Sequence, residues 1–210
     1  MTRRRVNPLL VGMLLVATLA APVPSFAHTL ADTTLPEVGV DEKLGGKVPL
    51  DLVFSDAGGK RVRLADFFPG SVPVLLTLNY SACPMLCPLT FRNLTGTIKG
   101  MEGLSLGRDY RIVTVSIDPE ESVEMARAKS GETYAMLPGV DGLQVRWPFL
   151  MGQAAQIDAL ARAVGVRYTR LGRSNFAHPT VAVVLTPDGK SYAYGCNRVL
   201  SDLYLVEGLK

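Results

Sequence analysis

The alternation of apolar and polar positions divides this chain into strand and helix segments. Leu50-Asp51-Leu52-Val53-Phe54 and Lys60-Arg61-Val62-Arg63-Leu64 flank Ala57-Gly58-Gly59, a pattern that predicts a β-hairpin. Val72 to Leu78 is almost continuously apolar, as in a strand buried on both faces. Phe91, Leu94, Ile98 and Met101 then recur at helical spacing, so strand, loop and helix follow in order. Arg111 to Ile117 predicts the next strand. Asp118-Pro119-Glu120-Glu121 supplies an N-cap, an N1 proline and an N3 glutamate, predicting a helix that runs to about Tyr134. Leu143 to Leu150, which contains the single Trp, predicts a short strand. Ile157, Leu160, Ala161 and Val164 mark an amphipathic helix closed by Gly165. Thr180 to Leu185 is a strongly apolar strand, Thr186 to Lys190 a tight turn into Ser191 to Tyr194, and Ser201 to Glu207 a short helix. Strands alternating with helices and closing on a hairpin predict a sheet-centred α/β fold.

The first residues follow a different logic. Arg3, Arg4 and Arg5 form a basic stretch, Leu9 to Ala21 an apolar one, and Ser25-Phe26-Ala27 a small-x-small cleavage pattern. Residues 1–27 therefore read as an export leader, and its short apolar run favours cleavage over an uncleaved membrane anchor. Residues 28–47 are mixed polar, Gly and Pro, and read as an arm or linker; residues 48–210 form the folded domain. The formal charge of +3 comes from 22 basic and 19 acidic residues, and three of the basic ones lie in the leader. What remains is neutral, which removes the electrostatic argument for nucleic acid or for a polybasic membrane contact. An exported chain with three Cys cannot pair them all internally, so one thiol stays reduced, pairs with another chain or binds something.

The chemistry concentrates at Cys83-Pro84-Met85-Leu86-Cys87-Pro88, between the buried strand and the following helix. Proline is tolerated in a helix's first turn, so the regular helix is expected to begin near Cys87, with Cys83 in the preceding loop. Unpaired N–H groups and the positive end of the helix dipole favour thiolate over thiol there. Two such thiolates suit either a reversible disulfide or a soft ion such as Cu(I). A metal needs a third ligand, and the chain has two His, of which His178 precedes Pro179 at the start of the strand Thr180 to Leu185. Loops at neighbouring strand ends converge, which would bring His178 toward the thiols. A lone His beside Pro is more often a turn residue than a ligand, so the residues by themselves leave redox pair and metal site both open.

Tyr80-Ser81-Ala82-Cys83-Pro84-Met85-Leu86-Cys87-Pro88, Val115-Ser116-Ile117-Asp118-Pro119, and His178 shortly before Val183-Val184-Leu185-Thr186-Pro187-Asp188-Gly189 resemble, in this order, the SCO1/SenC family of copper-binding cytochrome c oxidase assembly factors. The likeness runs from about residue 48 to the end. It implies a thioredoxin-like fold, a central mixed β-sheet flanked by helices. It further implies that Cys83, Cys87 and His178 bind copper, as Cu(I) or Cu(II), and that the partners are the copper-site subunit of cytochrome c oxidase and a copper donor or thiol reductant. The place implied is the bacterial periplasm or the outer face of the inner membrane. Three features depart from the pattern. Pro179-Thr180 looks like the cis-proline position of thioredoxins, Cys196 has no counterpart in the motif, and the chain stops at Lys210. The rival reading is a thiol-disulfide oxidoreductase in which Cys83 and Cys87 attack and resolve without carrying metal.

Other candidates have ordinary readings. Asp118 is a helix cap, and Trp147 with Pro148 and Phe149 packs the core. Met85 is a loop residue that could serve as a soft auxiliary ligand, and His28 would be a Cu(II) chelator only as a mature N-terminus. Glu120 and Glu121 read as solvated. Neither a Ser/His/Asp arrangement nor a phosphate-binding Gly-rich loop is present.

Overall fold

The computed structural model describes residues 38–83 and 86–196, and of Leu86, Cys87 and Cys196 the backbone alone. In chain order the elements are β1 (Gly39–Val40), β2 (Val53–Asp56), β3 (Arg61–Arg63), a 3-10 turn (Leu64–Phe67), β4 (Val74–Asn79), α1 (Leu86–Gly100), β5 (Arg111–Ser116), α2 (Val123–Ala135), α3 (Leu143–Arg146), β6 (Phe149–Met151), α4 (Ala154–Ala163), β7 (Val166–Arg167), β8 (Thr169–Gly172), β9 (Asn175–Ala177), β10 (Val181–Leu185) and β11 (Ser191–Cys196). Among the described residues a seven-stranded sheet runs in the order β11-β10-β4-β5-β6-β2-β3. Its centre, β4-β5-β6, is parallel, and the strands on both flanks are antiparallel. The expected central mixed sheet with flanking helices is therefore present. α1 takes up the crossover from β4 to β5, and α2 with α3 the crossover from β5 to β6, as parallel pairing requires.

The centre of the sheet is apolar because it is covered on both faces. Leu76, Leu78, Ile112, Val113, Val115, Val183 and Leu185 are all buried. Buried polar groups there are paired. The hydroxyls of Thr77 and Thr114 lie 2.8 Å apart on neighbouring strands, and Trp147 donates from Nε1 to Thr114 Oγ1 at 2.9 Å. Phe91 of α1, Tyr134 of α2 and Phe149 of β6 gather around Trp147 with ring centroids 5.2 to 6.2 Å apart. The Tyr134 hydroxyl donates to the Trp147 carbonyl at 2.6 Å, and burial raises its pKa. Trp147 thus has the core role expected of it.

The hairpin, the central strands, the helix after the Cys pair, the helix ended by Gly165 and the β10–β11 pair all form where the pattern places them. Two expectations need correction. The helix after β5 is capped by Ser122, whose Oγ accepts from Met125 N at 3.2 Å, and begins at Val123 rather than after Asp118. Asp118 instead accepts from Glu120 N at 2.9 Å and closes a separate turn, so the cap signal is real but serves that turn. Leu143–Arg146 is a helical turn begun at Gly142, φ 64°, and the strand is confined to Phe149–Met151. The turn lets Trp147 N bond Leu143 O at 2.7 Å while the indole points inward. The polar stretch before His178, for which the pattern predicts no element, forms the hairpin β8–β9, whose mostly exposed β8 lacks the apolar alternation that announces a strand. β1 pairs with β7, and Asp41 N donates to Gly165 O at 2.8 Å. The expected helix at Ser201 to Glu207 lies outside the described residues.

Candidate metal and thiol site

Strand β4 delivers Asn79 and Tyr80 to one end of the sheet, and the chain turns there. Cys83 N donates to Tyr80 O at 3.3 Å, closing a turn over Ser81 and Ala82. Cys83 is 7% exposed. Helix α1 begins at Leu86, so Cys87 lies in its first turn, where N–H groups lack intrahelical acceptors, and Pro88 is still within the tolerated first turn. The side chain of Cys87, and Pro84 and Met85, lie outside the described residues, as does His28.

The His reaches the same end of the sheet from the other direction. β10 runs antiparallel to β4, with Ala182 opposite Thr77, so the residues before β10 stand beside the end of β4. His178 is 9% exposed. Its Nδ1 lies 3.1 Å from Pro179 O, and a carbonyl only accepts, so the neutral ring carries its proton on Nδ1. That leaves Nε2 as the lone-pair nitrogen, and Nε2 is buried without a hydrogen-bond partner. Burial lowers the His178 pKa, with the Pro179 hydrogen bond opposing, so the ring is neutral at pH 7. An inward lone pair on a neutral imidazole, fixed by a hydrogen bond from the other nitrogen, fits a metal ligand. The peptide bonds of the described residues are all trans, so Pro179, whose isomer the sequence leaves open, is trans.

Tyr80 connects the two approaches. Its backbone carbonyl holds Cys83, and its ring meets His178 edge-on at 5.6 Å and Phe176 at 5.3 Å. Its hydroxyl donates to Asn175 Oδ1 at 3.3 Å and accepts from Phe176 N at 3.4 Å. Arg170 sits over the Phe176 ring at 5.5 Å and pairs with Glu120 at 2.7 Å, steadying hairpin β8–β9 just before His178. Cys196 is opposite Val181 across β10–β11, which puts its backbone at this same end of the sheet.

Among the described residues no three His, Cys, Asp or Glu side chains form a metal-holding group; Cys87 is not among the side chains described. The reading of the acidic run as solvated holds for Glu120 and fails for its neighbours. Asp118 is 3% exposed, and Glu121 accepts from Ser81 N at 2.8 Å, Ser81 Oγ at 2.7 Å and Ser116 Oγ at 2.6 Å. Sequence reasoning missed Tyr80, Ser81, Ser116 and Glu121 as supports of the site. Tyr80, Ser81 and Ser116 fall inside the motif stretches, but nothing in a linear pattern tells a carboxylate that faces water from one that faces a neighbouring loop.

The structure of a candidate electron transfer protein from Aquifex aeolicus VF5 is 26% identical, has a TM-score of 0.64, and is matched over 74% of this chain and 85% of that one. Arabidopsis thaliana ScoI, solved with copper bound, is 22% identical with a TM-score of 0.57, over 73% and 88%. BsSco, from the Sco family of cytochrome c oxidase assembly proteins and the subject of a disulfide-switch study, is 19% identical with a TM-score of 0.54, over 73% and 85%. Comparison with curated protein sequences gives no match. The likeness to these structures shows a shared fold, here a central mixed sheet flanked by helices. The model of one protein family, described as SCO1/SenC, matches residues 46–198, well over half of the 210 residues, and this chain belongs to the SCO1/SenC family.

Proposed function

We propose that this protein is an exported copper carrier that takes up copper at Cys83, Cys87 and His178 and passes it to the copper-site subunit of a cytochrome c oxidase. The observation that carries the reading is His178 Nε2, a buried lone-pair nitrogen with no hydrogen-bond partner, at the sheet end where the Cys83 loop and the first turn of α1 lie. Leaving such an acceptor buried and unmade costs about 1–3 kcal/mol unless something binds it. Two thiolates and an imidazole suit Cu(I) in trigonal geometry, and Cu(II) with a further ligand. Copper is here the cargo, and its uptake releases the thiol protons. Residues 1–27 direct export and are removed, residues 28–47 lead into the domain, and residues 48–210 carry the function in the periplasm or at the outer face of the inner membrane. Among the described residues no helix is long and apolar enough to cross a membrane.

The test is Cu(I) affinity of the reduced protein by competition with a chromophoric chelator. One ion per chain is expected, lost in Cys83→Ser and in Cys87→Ser and weakened in His178→Ala, which leaves two of the three ligands. Equal retention by wild type and Cys83→Ser refutes the assignment.

The second reading is thiol-disulfide exchange, favoured by the placement of Cys87 in the first turn of α1, which lowers a thiol pKa. In that reaction the two thiols reduce a partner disulfide to two thiols and become the Cys83–Cys87 disulfide, with two electrons and two protons passing to the partner. A reduced wild type that binds no copper yet reduces a partner disulfide would replace the first reading by the second.

A further inference from the structure

We infer that Glu121 is a positioning residue for the copper site, holding the loop that presents Cys83 in place; the inference rests on the reading of Cys83 as a ligand. Its carboxylate grips the loop through both donors of Ser81, the backbone N–H on Oε2 and the hydroxyl on Oε1. The same Oε2 takes the hydroxyl of Ser116 at the end of β5. One side chain therefore fastens the loop to the parallel strand next to β4.

The anchor is itself held. Glu121 N donates to Asp118 O at 3.2 Å, and Asp118 N donates to Ser116 Oγ at 3.1 Å. Ser81 lies within the turn closed by Cys83 N and Tyr80 O, between the ring that touches His178 and the sulfur-bearing residue. Fixing Ser81 thus fixes how Cys83 stands relative to the imidazole. Asn79 Nδ2, buried without a partner, lines the same small cavity as Ser81, Ser116 and Glu121, and Phe91, Phe149 and Leu150 line it from the core, so polar groups support the loop beside the apolar packing. On its other side Glu121 lines an open cleft with Phe54, Arg61 and Gln156, so truncating it exposes the loop's underside to solvent and leaves no sealed void.

The chemistry separates position from charge. All three groups that reach Glu121 are donors, and a carboxylate only accepts. In Glu121→Gln the amide oxygen can replace Oε2 and accept from Ser81 N and Ser116 Oγ. The amide nitrogen then replaces Oε1 and donates to Ser81 Oγ, a hydroxyl that also accepts. The loop stays fastened without the charge. Glu121→Ala releases it, and Ser116→Ala removes the link to β5 together with the acceptor of Asp118 N while leaving both Ser81 bonds in place.

The experiment uses the reduced protein and two readouts, Cu(I) affinity by chelator competition and the rate at which iodoacetamide alkylates Cys83 in the metal-free protein, followed by mass spectrometry. Glu121→Ala should weaken Cu(I) binding about 10- to 100-fold, as loss of a ligand's supporting partner does. It should speed Cys83 alkylation about fivefold or more, the factor one lost hydrogen bond is worth. Ser116→Ala should fall between, and Glu121→Gln within about threefold of wild type in both. Gly165→Ala, a destabilising control at a position that does not line that cavity, should leave both readouts at wild-type values. Overturning results are a Gln variant as impaired as the Ala variant, an Ala variant unchanged in both readouts, or a control that moves them equally. If wild type binds no copper, the function proposed above fails, and the alkylation contrast alone decides whether Glu121 positions the loop.

Discussion

Replacing Tyr80 by Phe and by Ala separates the two things this residue does at the junction of the Cys83 loop and the His178 hairpin. The ring is buried, meeting Phe176 and His178 edge-on, while the hydroxyl makes two long hydrogen bonds of 3.3 and 3.4 Å. A hydrogen bond contributes about 0.5–1.5 kcal/mol net, and bonds this long sit at the weak end. Tyr80→Phe keeps the ring contacts but leaves Phe176 N–H without that acceptor, so the expected loss is about 1 kcal/mol. Tyr80→Ala removes the ring and leaves a cavity, at about 3–5 kcal/mol. Urea denaturation of the metal-free protein, compared at a common slope, reads both values. Cu(I) competition adds the functional side, since Phe still presents a ring edge to His178 and should bind within about threefold of wild type, whereas Ala should bind at least about tenfold more weakly. A Phe variant as destabilised as the Ala variant would refute the argument by moving the energy from ring to hydroxyl. An Ala variant with wild-type copper affinity would refute the claim that this ring orients His178.

Thr114→Val strips the acceptor from buried Trp147 Nε1 and the partner from the Thr77 hydroxyl, and should cost about 2 kcal/mol, or about 4–8 °C in Tm for a domain of this size; Thr77→Val, which leaves the Trp147 bond intact, should cost less. Gly165 has φ 69° and a Cβ there would overlap the Asp41 carbonyl, so Gly165→Ala should cost about 2 kcal/mol or more and speed amide exchange at Asp41 as β1 loosens from β7. Unchanged exchange would show that the contact yields at no cost. For His178 the sign follows from burial: its folded pKa is below the unfolded value, so below that value the unfolded chain binds more protons. Metal-free stability should be full above about pH 6.5 and fall as the pH drops through the range below it. Urea midpoints at pH 7.5 and 5.5 should converge in His178→Gln, and an identical pH slope in wild type and variant would contradict a buried neutral ring.

Much of the fold was legible because period and burial coincide. Val74–Asn79, Arg111–Ser116 and Val181–Leu185 are apolar runs buried in the sheet, and α4 shows its stripe at Ile157, Leu160 and Ala161. The β8–β9 hairpin was not legible, since its exposed strand buries nothing that would impose alternation, and the cap at Ser122 was hidden by a stronger local signal at Asp118 that closes a turn of its own.

The candidate site divides the same way. A Cys pair four residues apart ahead of a helix, and a His ahead of a strand, are local arrangements, so sequence by itself determined which residues are proposed to carry chemistry and which family they resemble. Their surroundings are set by chain segments far apart in sequence. The antiparallel register of β10 against β4 brings His178 to the end of the strand that precedes Cys83, about a hundred residues earlier. Only the packed structure decided that His178 turns Nε2 inward without a partner, that Tyr80 spans from the Cys loop to the imidazole, and that Glu121 faces Ser81 rather than water. Burial and hydrogen-bond partners depend on which surfaces the whole fold brings together, and a carboxylate or an imidazole carries no local mark of the neighbour it will meet.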